Sequence, residues 1–418
     1  MIRADLVVTG IGELATLSPG PVPRIGRAMS ELGLVRDAAV AVADGRFVFA
    51  GRERSLRASV RLARGGVRWN AEGRSVVPGF VDAHTHVLFA GDRHGEVARK
   101  IEGASYAEIA RGGGGLFATV RATRAASSAH LLDVIEHRLR RMAALGTTTL
   151  EVKSGYALDH AGELRLLRLV PLLARRTGLR LVATFLGAHA VPPEYRGRAS
   201  DYVQTLIDRT LPEVARLGLA RYCDVFCEPG FFSPVQAERL LRAAAALGLG
   251  TKIHADEFVR SGGARVAARL RVTSADHLLA ASDADRRALA RAGVTAVLLP
   301  VTPFASMAAF PGVGRATVDA GVAVALGSDL SPNSWVESMG TVLSHAVYGA
   351  RLSPAEALTA ATVNAAHALG VAGEAGTIAP GRSADFSVFP TDSVEEIPYR
   401  VGAIPDRVYR QGIAVSSR

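Results

Sequence analysis

The chain is poor in cysteine, lysine and long apolar runs, and each shortage excludes something. Among 418 residues, cysteine occurs only at Cys223 and Cys227. Two cysteines cannot form a disulfide framework. In a strand they would share one face about 13 Å apart, beyond disulfide reach. They read as two buried thiols. No apolar run approaches the roughly 18 residues that cross a bilayer, so no membrane partner is expected. The opening MIRADLVVTG puts Asp5 inside a short apolar stretch and reads as a strand, not a secretory leader. A cytoplasmic location is expected. Lysine is confined to Lys100, Lys153 and Lys252, so the net charge of +10 comes almost wholly from arginine. The arginines are scattered, with no polybasic run, which argues against nucleic acid as a partner. A mild pull on small anionic substrates is the better reading.

What is present points to a large α/β chain. Hydrophobic residues make up 49% and charged residues 21%, a globular composition. The length suits two or three domains, or one large barrel with an accessory domain. Residues 1–75 carry short apolar runs with Gly and Pro between them, and residues 373–418 read the same way. Termini often lie close together, so both ends are expected to build one small β-sandwich. Residues 76–372 alternate apolar β runs with Ala/Leu/Arg-rich helical patterns. Eight β runs stand out: 76–86, 148–153, 181–189, 222–227, 251–254, 272–277, 294–300 and 322–329. Strict strand–helix alternation implies a parallel sheet with right-handed crossovers. Eight units in this length predict a (β/α)8 TIM barrel.

In such a barrel the chemistry sits at the C-terminal strand ends. These runs end at His84 and His86, at Lys153 with Tyr156 beyond, and at His189, Glu228, His254, His277 and Asp329. Five of the 11 histidines lie there. Alternate strand residues face one way, so His84 and His86 can grip a single metal ion. With His254 and Asp329, three histidines and one carboxylate can converge in the barrel mouth. His277 is a further ligand or an acid–base group. Glu257, just past His254, sits where a carboxylate can meet a metal-bound water. Arg93 can hold a substrate carboxylate through two parallel hydrogen bonds. The Gly112–Gly115 run has no strand before it and no Gly-Lys-Ser/Thr ending, so it reads as a loop at the barrel mouth, not a phosphate cradle.

The segments PGFVDAHTH and AGTIAPGRSADFSVF, with His254, His277 and Asp329 between them, resemble the amidohydrolase superfamily. Within it, DAHTHVLFAGDR, LEVKSGYALD, FLGAHAVPPEY, KIHADEF and SADHL resemble the imidazolonepropionase family. The resemblance implies hydrolytic ring opening of 4-imidazolone-5-propanoate to N-formimidoyl-L-glutamate, a step of histidine degradation. It implies one Zn2+ or Fe ion per chain on His84, His86, His254 and Asp329. It also implies catalytic roles for Glu257, His277 and Asp329. The implied substrate contacts are Arg93, Tyr106, Tyr156, His189, Glu257, Ser331, Asn333 and Ser334. Relatives imply a homodimer, and the EVKSGY pattern implies an unmodified Lys153. One segment departs: Ser331 and Asn333 stand where many members have asparagine and glycine. The alternative on this scaffold is a heterocycle deaminase or a formimidoylglutamate deiminase, which would release ammonia.

Overall fold

The alternation along the middle of the chain becomes a closed ring of parallel strands. The structure is a computed structural model and describes residues 1–103, 108–109, 112–308 and 312–415. Tyr106 lies outside them. Four strands come first: β1 (Ile2–Ala15), β2 (Leu34–Ala43), β3 (Arg46–Arg52) and β4 (Val60–Asn70). After β5 (Ser75–Pro78) the barrel begins with β6 (Phe80–Asp82), β7 (Thr147–Lys153), β8 (Arg180–Ala188) and β9 (Tyr222–Cys227). It continues through β10 (Gly250–Ala255), β11 (Ser274–His277), β12 (Thr295–Leu298) and β13 (Val324–Leu326). These strands pair in chain order, all in parallel. Backbone bonds close the seam between β6 and β13. Ala83 N–H donates to the Leu326 carbonyl at 3.1 Å, and Asp329 N–H to that of His84 at 3.0 Å.

The two chain ends meet in a second, mixed sheet. Its last strands are β14 (Phe386–Phe389), β15 (Arg407–Arg410) and β16 (Ile413–Ala414). The order is β16-β15-β14-β5-β1-β2-β3, with β4 also paired to β1. The sheet curls until Arg46 forms a bridge with Ser383, enclosing Phe47, Phe386 and Tyr409 in its own core. Phe386 stacks on Tyr409 with ring centroids 4.4 Å apart.

Two expected elements divide. The run 76–86 splits at Gly79: β5 joins the end sheet and β6 opens the barrel. A Cβ on Gly79 would lie 2.4 Å from the Thr148 side chain, so the chain passes β7 here without room for one. The helical run 354–369 breaks into Pro354–Ala360 and Val363–Ala368. The break releases the Ala361 carbonyl, which accepts from the Val81 N–H of β6 at 2.9 Å. Elsewhere helix starts follow the local chemistry, with serine capping boxes at Ser233, Ser282 and Ser353.

The inside of the barrel is not wholly aliphatic, although Val182, Tyr222, Val297 and Ala325 pack together. Alternate residues of a strand share a face. On that pattern Glu151 and Lys153 of β7, Asp224 of β9, Lys252 of β10 and Asp276 of β11 are all fully buried. The carboxylates and ammonium groups meet there. Replacing Gly79 by valine is expected to force β6 away from Thr148 and to destabilise the fold by about 1–3 kcal/mol. A fall in Tm against the parent protein checks this, and an unchanged Tm would contradict the close approach.

Candidate metal centre and active site

Barrel closure gathers the ends of β6, β10, β11 and β13. His84 and His86 follow β6, His254 lies in β10, His277 ends β11, and Asp329 follows β13. His84 Nε2 is 3.0 Å from His86 Nε2, and His254 Nε2 is 3.3 Å from His86 Nε2. Asp329 Oδ1 lies 3.4 Å from His86 Nε2 and 3.7 Å from His84 Nε2. Two atoms bound tetrahedrally to one zinc-sized ion are about 3.3 Å apart. The spacing therefore suits four ligands of one ion.

The hydrogen positions decide whether the set can bind one. His84 Nδ1–H donates to Asp276 Oδ2 at 2.6 Å. His254 Nδ1–H donates to Asp224 Oδ1 at 3.2 Å. An ionised carboxylate only accepts, so the hydrogen of each ring sits on Nδ1 and the lone pair on Nε2. Among the described residues nothing fixes the hydrogen of His86, whose Nδ1 is unpaired, so its Nε2 can turn a lone pair to the same point. Burial, above all, lowers the pKa of His84 and His86 well below the usual value. Both are neutral imidazoles, the form that binds metal. Asp329 is buried too, which raises its pKa to about 6. The Thr302 hydroxyl donates to its Oδ2 at 2.7 Å and fixes the carboxylate. His277 and Asp329 carry left-handed backbone, φ 72° and 52°, which is strained for residues other than glycine.

Behind the rings lies a buried ionic layer. Lys153 Nζ is 2.6 Å from Asp224 Oδ2 and 2.8 Å from Glu151 Oε2. Lys252 Nζ is 2.8 Å from Glu151 Oε1. Burial alone would lower the Lys153 pKa, yet Asp224, Glu151 and Asp276 outweigh it and hold the ammonium charged.

In front of the rings is one cavity. His86, His254, His277 and Asp329 form its floor, with Arg93, Tyr156, His189, Glu257, Ser331 and Asn333 around it. His189 Nδ1–H donates to the Gly155 carbonyl at 3.0 Å, so its Nε2 carries a lone pair. Burial lowers its pKa to about 3, and the ring is neutral. It stacks on His86 and meets Tyr156 edge-on. Glu257 Oε2 lies 3.5 Å from His277 Nε2. Glu228 Oε1 accepts from the Glu257 and Phe258 N–H groups at 2.6 and 3.2 Å, which sets the Glu257 turn. Arg93 directs its Nε and one Nη at Glu96 Oε2, at 3.0 and 2.7 Å. The other Glu96 oxygen accepts from Gly115 N–H, tying Arg93 to the glycine-rich turn. Lys100 Nζ donates to Asn333 Oδ1 at 2.9 Å. Ser334 lies away from the cavity wall, closing a turn in which its carbonyl accepts from Ser331 N–H at 3.0 Å.

Residues 75–413 match the amidohydrolase family. An imidazolonepropionase of Symbiobacterium thermophilum is 46% identical over 99% of this chain and 97% of its own. One of Desulfotalea psychrophila is 43% identical over 93% of this chain and 94% of its own. The chain belongs to the imidazolonepropionases of the amidohydrolase family. It is a hydrolase with a histidine-rich metal-binding site. Among solved structures, Escherichia coli guanine deaminase has a TM-score of 0.70 at 16% identity, covering 99% of both chains. A zinc-bound adenosine deaminase of Xanthomonas campestris has a TM-score of 0.68 at 19% identity, covering 99% of this chain and 93% of its own. At those identities the likeness shows the fold alone.

Sequence reasoning missed the groups behind the site. Asp224, Asp276, Glu151 and Thr302 were not singled out. The signal was there: a charged residue inside an otherwise apolar strand, as in LEVK, CDVF and SADH, is costly unless it is paired inside.

Burial first, then the charges of Asp329 and Glu228, raise the Glu257 pKa well above the usual carboxylate value. A carboxyl raised by folding stabilises fully below its unfolded pKa of about 4.3. That contribution is lost as pH rises toward the folded pKa. Glutamine has no such dependence. In metal-free protein, Glu257→Gln is expected to raise Tm relative to the parent, with a gap that widens as pH rises above about 4.5. Thermal scans with a chelator present check the trend, and a gap that narrows over this range would contradict it.

Proposed function

We propose that this chain hydrolyses 4-imidazolone-5-propanoate to N-formimidoyl-L-glutamate, with one Zn2+ or Fe ion per chain. The observation that carries the reading is one cavity holding Arg93, His189 and Glu257 around the convergent histidine nitrogens. Identity of 46% with a relative named for this activity supports it.

The product dictates the bond changes. The water oxygen bonds to the ring carbonyl carbon, the bond from that carbon to nitrogen breaks, and the nitrogen takes a proton. His84, His86, His254 and Asp329 would hold the ion, which as a Lewis acid lowers the pKa of water toward 7 and polarises a carbonyl. Glu257 accepts the proton of the attacking water and returns it to the leaving nitrogen. Its place on the cavity wall, 3.5 Å from His277 Nε2, suits both halves of that task. His277, neutral and next to Glu257, orients the water. The bare Nε2 of His189 accepts from a ring N–H, and Tyr156 walls the ring. The Nη edge of Arg93 binds the propionate as a bidentate pair. Lys100 holds the Asn333 carbonyl oxygen, which turns the amide NH2 of Asn333 into a donor for the same carboxylate. This gives the Asn333 departure a role. Ser331 closes the same side, with Ser334 supporting it from behind. Lys153 acts unmodified, as a charged ammonium. The reading carries with it a cytoplasmic homodimer with no nucleic-acid or membrane partner.

Product identity tests the reaction. Metal-loaded protein is incubated with imidazolonepropanoate and, separately, with guanine, cytosine and formimidoylglutamate. Mass spectrometry and an ammonia assay read all four. Formimidoylglutamate from the first substrate, with no ammonia from any, is expected. Ammonia from another substrate, with imidazolonepropanoate no faster than a blank, would move the chain to the deaminases. Glu257→Gln should keep its metal and lose about 10²–10⁴ in kcat. Arg93→Met should raise KM about 10–100-fold with a smaller change in kcat. An unchanged KM would remove the carboxylate clamp from the account.

A further inference from the structure

Two of the three lysines in the chain are completely buried inside the barrel. Lys252 is anchored to Glu151, away from the rings. Lys153 is different, because its partners touch the metal-binding histidines. Its Nζ is 2.6 Å from Asp224 Oδ2 and 3.6 Å from Asp276 Oδ2. Asp224 receives the Nδ1–H of His254, and Asp276 receives that of His84. One ammonium on β7 thus stands behind two carboxylates, on β9 and β11. Those carboxylates aim two rings that arrive from opposite parts of the barrel. Glu151 Oε2, at 2.8 Å, holds the ammonium from its third side. The Thr184 hydroxyl donates to Glu151 Oε1 at 2.5 Å and keeps that carboxylate in place.

We infer that Lys153 is a positioning residue for the metal site. By holding Asp224 and Asp276 on one cation, it sets the directions of His254 and His84 so that their Nε2 lone pairs meet at one point. The inference rests on reading those histidines as metal ligands. A purely structural ion cluster would make a different prediction. Its loss would cost stability and leave ring direction alone. A buried ion cluster is in general no more stabilising than well-packed apolar side chains. Stability alone therefore gives no reason for this one to face the histidines. Carboxylates behind ligating histidines typically change metal affinity by about 10–100-fold when they are removed.

The test uses purified full-length chain, stripped of metal and titrated with Zn2+ against a chromophoric chelator. Co2+ loading gives a ligand-field spectrum of the same site. Lys153→Met is expected to bind Zn2+ about 10–100-fold more weakly than the parent and to shift the Co2+ bands. Lys153→Arg keeps the charge but cannot put one nitrogen between both carboxylates, so its Zn2+ affinity should fall by a smaller factor. A folded Lys153→Met with parental affinity and an unshifted Co2+ spectrum would overturn the inference, whatever its Tm. Should Lys153→Met fail to fold, Lys153→Arg decides. Affinity several-fold below the parent supports the brace, and parental affinity overturns it. If the parent chain itself binds no Zn2+ or Co2+, the reading of the histidines as ligands fails instead.

Discussion

An imidazole binds a metal ion only through a nitrogen that carries no hydrogen, and this molecule settles that choice from behind the rings. Asp276 and Asp224 accept the Nδ1–H groups of His84 and His254. The lone pairs of both rings are thereby committed to the same small volume, where His86 and Asp329 complete the set. The front of the site depends on the same commitment. His189 stacks on His86, Tyr156 meets His189, and Glu257 faces His277. If the His86 ring turned, the His189 stack would move with it.

The fold serves that constraint at some cost to packing. A barrel interior is ordinarily filled with branched aliphatic side chains. Here alternate positions on β7, β9, β10 and β11 carry charges that are fully buried and mutually paired. Such a layer stabilises little by itself, because desolvation offsets the attraction. Its use is direction. The strands also have to come close enough for short carboxylates to reach the rings. Gly327 permits this at the seam, since a Cβ there would lie 2.7 Å from His84 Cβ and 2.8 Å from its backbone nitrogen.

Much of this was legible in the sequence, for physical reasons. Strand termini in a parallel barrel share one mouth, so His84, His86, His254, His277 and Asp329 could be grouped before any coordinates. The (β/α)8 order followed from the alternation of apolar runs with helical patterns. Cys223 and Cys227 are buried free thiols, as their spacing required. The division at Gly79 was hidden because the run 76–86 is uniformly apolar up to Asp82, and period alone cannot say which sheet a strand joins. The break in the helix after Ala360 was hidden likewise, because its cause is a distant N–H on β6. The Arg93–Glu96 pair has ordinary helical spacing and was readable, but its link to Gly115 was not. Tyr106 lies outside the described residues.

In the proposed site, three Nε2 atoms and the Asp329 carboxylate hold a single cation in front of an unmodified Lys153. Anomalous diffraction from crystals grown with Zn2+, collected on both sides of the absorption edge, tests it directly. One strong peak per chain is expected, about 2.0–2.2 Å from the Nε2 atoms of His84, His86 and His254 and from an Asp329 oxygen. A second peak of similar strength bridged to the first through Lys153, or a single peak bound elsewhere, would contradict it.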